Sequence, residues 1–305
     1  MTEPYRRAKI ILNPAARHGE VAKLEAEVRT LFEGLIEYEL VRTEAPWHAE
    51  SLARQAVREG FGLVIAAGGD GTYHEVASGI LAEGGKAAIG CLPLGSGNDF
   101  ARTLGISNDL RKAAHELIRG KTKRVDVGTC NGKYFTNSVG IGFDGRVTHR
   151  ATELKERTDL AGLRLYFTAL MDLVLHDFHG YRVRLAIDDG PETERPFLMM
   201  AVTNGFTYGG GFKITPQAVN GDGLFDYCII DDLPRADAMW RIPLVVVGKH
   251  NWMKKVTTGR AVRLRLWADE ELFAQVDGEP YKASEFDLIM LPRVLTAVIG
   301  DGRVA

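Results

Sequence analysis

The chain has 305 residues, of which 45% are hydrophobic and 26% charged, and a formal net charge of −2. That length is enough to bury a full core and admits one or two domains. The near-neutral balance excludes bulk nucleic-acid binding, which needs a phosphate-neutralising excess of Lys and Arg. Glycine stands out: there are 34, several in tight clusters. Cys91, Cys130 and Cys228 are odd in number, far apart and set in apolar contexts. They read as buried free thiols in a reducing compartment, and no Cys/His grouping has zinc-site spacing. The first residues lack the apolar core of a signal peptide. No apolar run approaches the ~18 residues that crossing a bilayer requires. The expectation is a cytoplasmic, soluble protein, with peripheral contact at a membrane left open.

In chain order, the first 125 residues alternate strands and helices. A short apolar strand at Ala8–Leu12 is followed by helical spacing of Val21, Leu24, Val28 and Leu31. A second strand at Tyr38–Arg42 precedes a helix through Ala49, Leu52, Ala53 and Val57. Leu63–Ala66 reads as a third strand buried on both faces, and Ala88–Leu92 as a fourth. A helix capped by Ser107 is expected from about Asn108 to Arg119, stopping at Gly120. This is the pattern of a parallel sheet with covering helices.

From Val125 the rhythm changes. Tyr181–Ile187 and Val262–Leu266 alternate apolar and charged residues, as half-exposed antiparallel strands do. Asp189-Gly190, Asn220-Gly221 and Asp277-Gly278 mark turns. The expected fold is therefore α/β plus β: an α/β domain with a parallel sheet over 1–125, and an antiparallel β-sandwich over 126–290. Helical stretches near 153–177 and 234–253 interrupt the second. The segment from about 291 to 305, with a strand at Leu295–Ile299, is open to either domain.

Two glycine-rich loops carry the chemistry. Gly68-Gly69-Asp70-Gly71-Thr72 follows the third strand and opens a helix at about Tyr73. Its glycines let a bulky anion approach backbone N–H groups, and the helix N-terminus favours phosphate. A carboxylate at Asp70 repels phosphate unless a divalent cation stands between them, so the loop asks for a metal-bound nucleotide. Thr72 and Glu75 also have capping-box spacing, which gives them a purely structural alternative. The second loop, Pro93-Leu94-Gly95-Ser96-Gly97-Asn98-Asp99-Phe100-Ala101-Arg102, follows the fourth strand in the same way, and Ser96 and Asp99 share that alternative. Both loops leave the carboxyl ends of strands, where open α/β sheets bind ligands. The loop after strand one, Asn13-Pro14-Ala15-Ala16-Arg17-His18-Gly19, is expected to face the same cleft. Neither a P-loop nor a dinucleotide fingerprint is present.

With Tyr208-Gly209-Gly210-Gly211, Asp222-Gly223-Leu224 and Asp277-Gly278-Glu279, these motifs resemble the diacylglycerol kinase catalytic family over nearly the whole chain. That family includes soluble bacterial diacylglycerol kinases, YegS-like proteins and sphingosine kinases. The resemblance implies a lipid kinase that takes ATP and Mg2+, with nucleotide between an α/β and a β-sandwich domain. Nucleotide contacts are then expected at Asn13, Thr43, Gly69, Asp70, Gly71, Thr72, Tyr73, His74, Glu75 and Ser96. A structural magnesium site is implied at Asp222 with backbone carbonyls of Val219 and Leu224, and a general base at Glu279. Arg17 departs from the glycine that family members often carry there.

The mechanism expected on this reading has Asp70 holding magnesium on the ATP phosphates, Asp99 orienting the metal or a water, and Glu279 accepting the proton of the lipid hydroxyl. Asp277 and Glu279 point the same way if their segment is extended; if it is a hairpin turn, Asp277 is structural. His48 and His74 read as polar helix-face residues rather than bases. The stretch Trp240 to Val247, followed by Lys249, His250, Trp252, Lys254 and Lys255, fits either a membrane-resting surface or a core helix with a solvated end. Diacylglycerol presented by a membrane is the favoured acceptor. A soluble acceptor, as in NAD kinases, and a non-catalytic nucleotide- or lipid-binding relative are the alternatives. No motif identifies the lipid or the oligomeric state.

Overall fold

The computed structural model describes residues 5–16, 21–160, 162–246, 248–250 and 252–302. Arg17 lies outside the described residues. The chain divides into two compact units, Met1–Asp126 with Arg293–Ala305, and Val127–Pro292.

The first unit is built from β1 (Arg7–Leu12), α1 (Val21–Phe32), β2 (Glu37–Arg42), α2 (His48–Arg58), β3 (Leu63–Gly68), α3 (Asp70–Ala82), β4 (Ala88–Pro93), α4 (Asp99–Thr103) and α5 (Leu110–Arg119). The strands are parallel: β1 lies between β2 and β3, and β3 pairs with β4. Every residue of β3 and β4 is buried, which explains their unbroken apolar runs. Thr296 and Ala297 add a further parallel strand beside Ala88 and Ile89 of β4.

The helix before Gly120 is capped differently from expectation. Its N-cap is Asp109, whose carboxylate accepts from the Lys112 N–H at 2.8 Å, while Ser107 Oγ accepts from the Asp109 N–H at 3.2 Å. Asp and Ser are both good caps, and the residue with extended backbone immediately before the helix takes the role. Gly120 ends α5 for reasons of space, since a Cβ there would lie 2.1 Å from the Glu116 carbonyl oxygen.

The second unit begins within β5 (Lys121–Cys130). It continues through β6 (Lys133–Phe135), β7 (Ser138–Gly142), α6 (Phe143–Arg157), α7 (Gly162–His176), β8 (Tyr181–Ile187), β9 (Thr193–Phe197), β10 (Met199–Thr203), β11 (Phe225–Ile230), α8 (Arg235–Val246), β12 (Val256–Ala261) and β13 (Arg263–Val276), and into β14 (Glu279–Ile299). The ladders among β7, β8 and β9 to β13 are antiparallel, and so is the β13–β14 hairpin. An irregularity between Trp267 and Leu272 lets β13 change neighbours. Its first half pairs with β8 and its second with β7, the device by which one strand serves two layers.

β10 and β11 are buried on both faces. Met200, Val202, Phe225, Tyr227 and Ile229 enter one core with Phe135, Phe197, Leu264 and Phe286. Met199, Ala201, Cys228 and Ile230 alternate into a second core against α6 and α7 residues such as Phe143, Val147, Leu165 and Ala169. The helical stretch expected near 153–177 is thus two helices, the first starting at Phe143. The early start is masked because Gly145, Arg146 and Thr148 are buried among the apolar positions Phe143, Val147 and Ala151 of α6. All three cysteines are buried free thiols, and burial pushes Cys130 and Cys228 up to about 12. Among the described residues no helix is long and apolar enough to cross a membrane.

Asp144, in the first turn of α6, is a carboxylate kept largely from water. Tyr208 donates to its Oδ1 at 2.8 Å, and burial raises its pKa from 3.8 to about 6. The folded state therefore holds this proton more tightly than the unfolded chain. Its stabilising contribution is complete below about pH 4 and lost as pH rises through about 6, a change of up to about 3 kcal/mol. Asp144→Asn should flatten the decline in unfolding free energy between pH 4 and 7, measured by denaturant titration. An unchanged slope would assign the decline to other groups.

Candidate active site

The two glycine loops of the first unit meet backbone to backbone. A Cβ on Gly95 would lie 2.5 Å from Gly69 Cα, and one on Gly69 would lie 3.1 Å from Gly95 Cα. Gly95 has no room for a side chain, and Gly69 could take one only if its neighbour gave way. Leu94 and Gly95 donate their N–H groups to the Gly68 carbonyl at 2.9 and 3.1 Å, which ties the loop after β4 to the loop after β3. Gly68 is equally constrained, because its Cβ would fall 2.3 Å from Thr72 Oγ1.

The helix after β3 starts earlier than the sequence suggests. α3 opens at Asp70 with Gly69 as an extended N-cap that offers no side chain. Thr72 and Glu75 therefore do not form a capping box. Thr72 Oγ1 accepts from Asn13 Nδ2 at 3.1 Å, linking the loop after β1 to α3. Glu75 reaches to a neighbouring helix, where its Oε2 accepts from the Ala49 N–H at 3.0 Å in the first turn of α2. Asn13 also accepts from the Ala15 N–H at 2.9 Å through Oδ1. Thr43 follows β2 directly, its N–H donating to the Leu12 carbonyl at 2.9 Å. Tyr73 and His74 are buried behind the loop, and the His74 ring meets Trp47 edge-on at 5.6 Å.

Asp70 is fixed by the second loop. Its Oδ1 accepts from the Phe100 N–H at 3.0 Å, in the first turn of α4. The carboxylate thus sits at the opening of α3, where first-turn N–H groups have no intrahelical partner. Ser96 is exposed at the tip of the second loop. Asp99 is buried and its Oδ1 accepts from Arg102 Nη1 at 2.5 Å, while Arg102 Nη2 donates to the Gly97 carbonyl at 2.9 Å. The pair holds the loop shut on itself. Ser96 and Asp99 form no capping box, since the N-cap of α4 is Asn98, in a left-handed conformation with φ of 55°.

Asn98 is the residue that sequence reasoning passed over. Its Oδ1 accepts from the Gly95 N–H at 3.0 Å and lies 3.2 Å from the Tyr73 hydroxyl, and its Nδ2 donates to the Gly95 carbonyl at 2.7 Å. The available signal is its type, because Asn tolerates positive φ and can bond its own local backbone.

In the second unit, Asp277 and Gly278 are the two central residues of the β13–β14 hairpin, with φ of 49° and 88° and Val276 paired to Glu279. Two positive φ values make this the primed turn that Asp-Gly favours. The segment is a turn rather than extended, so Asp277 is a structural residue; it is buried while Glu279 is exposed.

Asp222 pairs with the Arg260 guanidinium, and its Oδ1 accepts from the Leu224 N–H at 3.1 Å. Val219 is exposed. Nearby Asp226 has its carboxylate raised by burial, an effect opposed by Arg260 and reinforced by Asp222. Its Oδ2 is buried with no hydrogen-bond partner. Two hard carboxylates, one of them with an unsatisfied buried oxygen, fit a small divalent cation; Arg260 would have to yield Asp222 to it. Among the described residues no group of three or more His, Cys, Asp or Glu is gathered as a metal cage. Asp70 offers a metal a single carboxylate, which suits magnesium, an ion that keeps waters and substrate phosphates in its shell.

The stretch after α8 is only partly described. Val247 and Asn251 lie outside the described residues, as do the side chains of Trp240, Ile242, Pro243 and Val246. Trp252 is 69% exposed.

Residues 7–130 match the diacylglycerol kinase catalytic domain, and residues 137–299 match the YegS C-terminal NAD kinase beta sandwich-like domain. A diacylglycerol kinase of Bacillus subtilis is 31% identical over 278 residues, covering 90% of each chain. A Chromohalobacter salexigens protein named "Probable lipid kinase YegS-like" is 37% identical over 254 residues, 82% of this chain and 80% of its own. Among solved structures, a diacylglycerol kinase from Bacillus anthracis superposes with a TM-score of 0.77 at 20% identity, covering 98% of both chains. An NAD kinase from Archaeoglobus fulgidus in complex with ATP shares the fold more distantly, with a TM-score of 0.52 at 13% identity over 97% of this chain and 94% of its own. The relatives 30% or more identical across most of the chain decide the assignment: this chain belongs to the diacylglycerol kinase and YegS-like lipid kinase family.

Proposed function

We propose that the protein transfers the γ-phosphate of ATP to the hydroxyl of diacylglycerol, giving phosphatidic acid. The observation that carries this reading is the Gly69–Gly95 contact, which sets Asp70 at the opening of α3 with the Phe100 N–H on its carboxylate. Backbone N–H groups of Gly69 to Thr72 cradle the phosphates, with Tyr73, His74 and Glu75 supporting the helix behind them. Asn13, Thr43 and Ser96 contribute contacts to the rest of the nucleotide. Asp70 would hold magnesium, which neutralises the phosphate charge that develops in transfer. Asp99, engaged by Arg102, acts on the loop and orients its neighbours rather than ligating the metal. Glu279 takes the proton from the attacking hydroxyl as the oxygen–phosphorus bond forms and ADP departs. Asp222, Asp226 and the backbone around Val219 and Leu224 would hold a second, structural magnesium.

Exposed Trp252, flanked in sequence by Lys249, Lys254 and Lys255, supports an acceptor presented at an anionic lipid surface. Incubation of the protein with γ-labelled ATP, magnesium and either diacylglycerol mixed micelles or NAD separates the two acceptor classes. Label is expected in the lipid fraction; label in NADP alone would replace this reading with the NAD kinase one, and label in neither would favour a non-catalytic relative.

The loop contact gives a second test. Gly95→Ala inserts a methyl group where 2.5 Å is available and should destabilise the fold by about 1–3 kcal/mol. It should also weaken ATP binding by about tenfold or more, roughly 1.4 kcal/mol. Thermal melting and nucleotide titration check both. Binding unchanged in a destabilised variant would remove the loop contact from the nucleotide site.

A further inference from the structure

We propose that Asp277 is a positioning residue for Glu279, pinning the apex of the β13–β14 hairpin to the Thr136–Ser138 segment so that Glu279 leaves the turn in one fixed direction. The inference rests on the reading of Glu279 as the general base. A hairpin apex normally lies in water, yet Asp277 is 7% exposed, in contact with Thr136, Asn137 and Ser138, which are also buried. Burying a carboxylate is unfavourable unless its lone pairs are filled.

Here they are filled by neutral donors from one short segment. Thr136 donates its N–H and its hydroxyl to Oδ2 at 2.7 and 3.0 Å. Asn137 and Ser138 donate their N–H groups to Oδ1, each at 2.9 Å. In return the Asp277 N–H donates to the Ser138 carbonyl at 2.8 Å. Both oxygens and the backbone of one residue are thus bound to the link between β6 and β7. The next residue is held from the other side, where the Gly278 N–H donates to Gln275 Oε1 at 2.7 Å. Gln275 Nε2 in turn lies 3.4 Å from Ser138 Oγ and 3.4 Å from Asp144 Oδ2. Through Asp144 the network reaches Tyr208, at the start of the triple-glycine loop.

The consequence falls on Glu279, which follows directly and is itself exposed. An exposed side chain is aimed only as well as the backbone beneath it, and a proton acceptor misplaced by about 1 Å can lose two orders of magnitude in rate. An Asp-Gly pair would satisfy the turn without any of these bonds. The bonds to the Thr136–Ser138 segment therefore serve something beyond the turn.

The test compares Asp277→Asn, Glu279→Gln and the double variant in the full chain, with Mg-ATP and diacylglycerol mixed micelles. Asn accepts the same positive φ but presents an amide NH2, itself a donor, to N–H donors on one side. The expected result for D277N is a fall in kcat of about 10- to 100-fold with the KM for ATP within about twofold. The double variant should be no slower than E279Q, because both changes act through the same group. Wild-type kcat in D277N beside an inactive E279Q would overturn the positioning role alone, and so would additive losses in the double variant. Full activity of E279Q would refute the base and the positioning role together. If D277N does not melt cooperatively, Thr136→Val, which deletes the hydroxyl donor to Asp277, decides: a few-fold drop in kcat at unchanged KM supports the proposal, and unchanged kcat overturns it.

Discussion

Two glycines in contact, Gly69 and Gly95, set the geometry on which the first unit's chemistry depends. Each loop leaves the end of a parallel strand, and each would be free to wander if its neighbour were bulkier. With no side chain between them, the Leu94 and Gly95 N–H groups reach the Gly68 carbonyl, and the Phe100 N–H reaches Asp70. The acidic residue that faces the phosphates on our reading is thereby oriented by the loop it does not belong to. Thr72 and Asn13 extend the same logic to the loop after β1. Three loops from three strands become one surface through a glycine contact and a handful of hydrogen bonds.

Much of this was legible in the sequence, and the exceptions have physical causes. β3 and β4 announce themselves as apolar runs, since a parallel strand covered on both faces has no polar side to show. The role of Glu75 was not legible, because a capping box and a side chain that caps a neighbouring helix look alike in one dimension. Asp99 read as a candidate for chemistry, yet three residues before Arg102 on a helix it pairs with that guanidinium. Asn98 hid among louder neighbours, although its left-handed backbone makes it the hinge of the loop. The start of α6 was harder to read for a different reason: buried glycine, arginine and threonine interrupt the apolar spacing of Phe143, Val147 and Ala151.

The second unit repeats the theme with opposite chemistry. Where the first unit brings loops together by removing side chains, the β13–β14 turn is held by a buried carboxylate saturated with N–H donors. The Asp-Gly-Glu motif thus divides its work. Asp and Gly supply the positive φ values of the turn, Asp also supplies the anchor, and Glu is left exposed at the end of it. The sequence offered extended and turned alternatives for this segment. The register of Val276 with Glu279 selects the turn.

On our reading Asp70 serves a metal-bound nucleotide rather than the fold alone. Asp70→Asn is the sharpest probe, because an amide oxygen can still accept from the Phe100 N–H while the charge is lost. Calorimetric titration of ATP, with and without magnesium, into both proteins tests that role directly. Magnesium-dependent binding is expected for the wild type and its loss for D70N, at unchanged melting temperature. Equal magnesium-dependent affinity in the two proteins would contradict it.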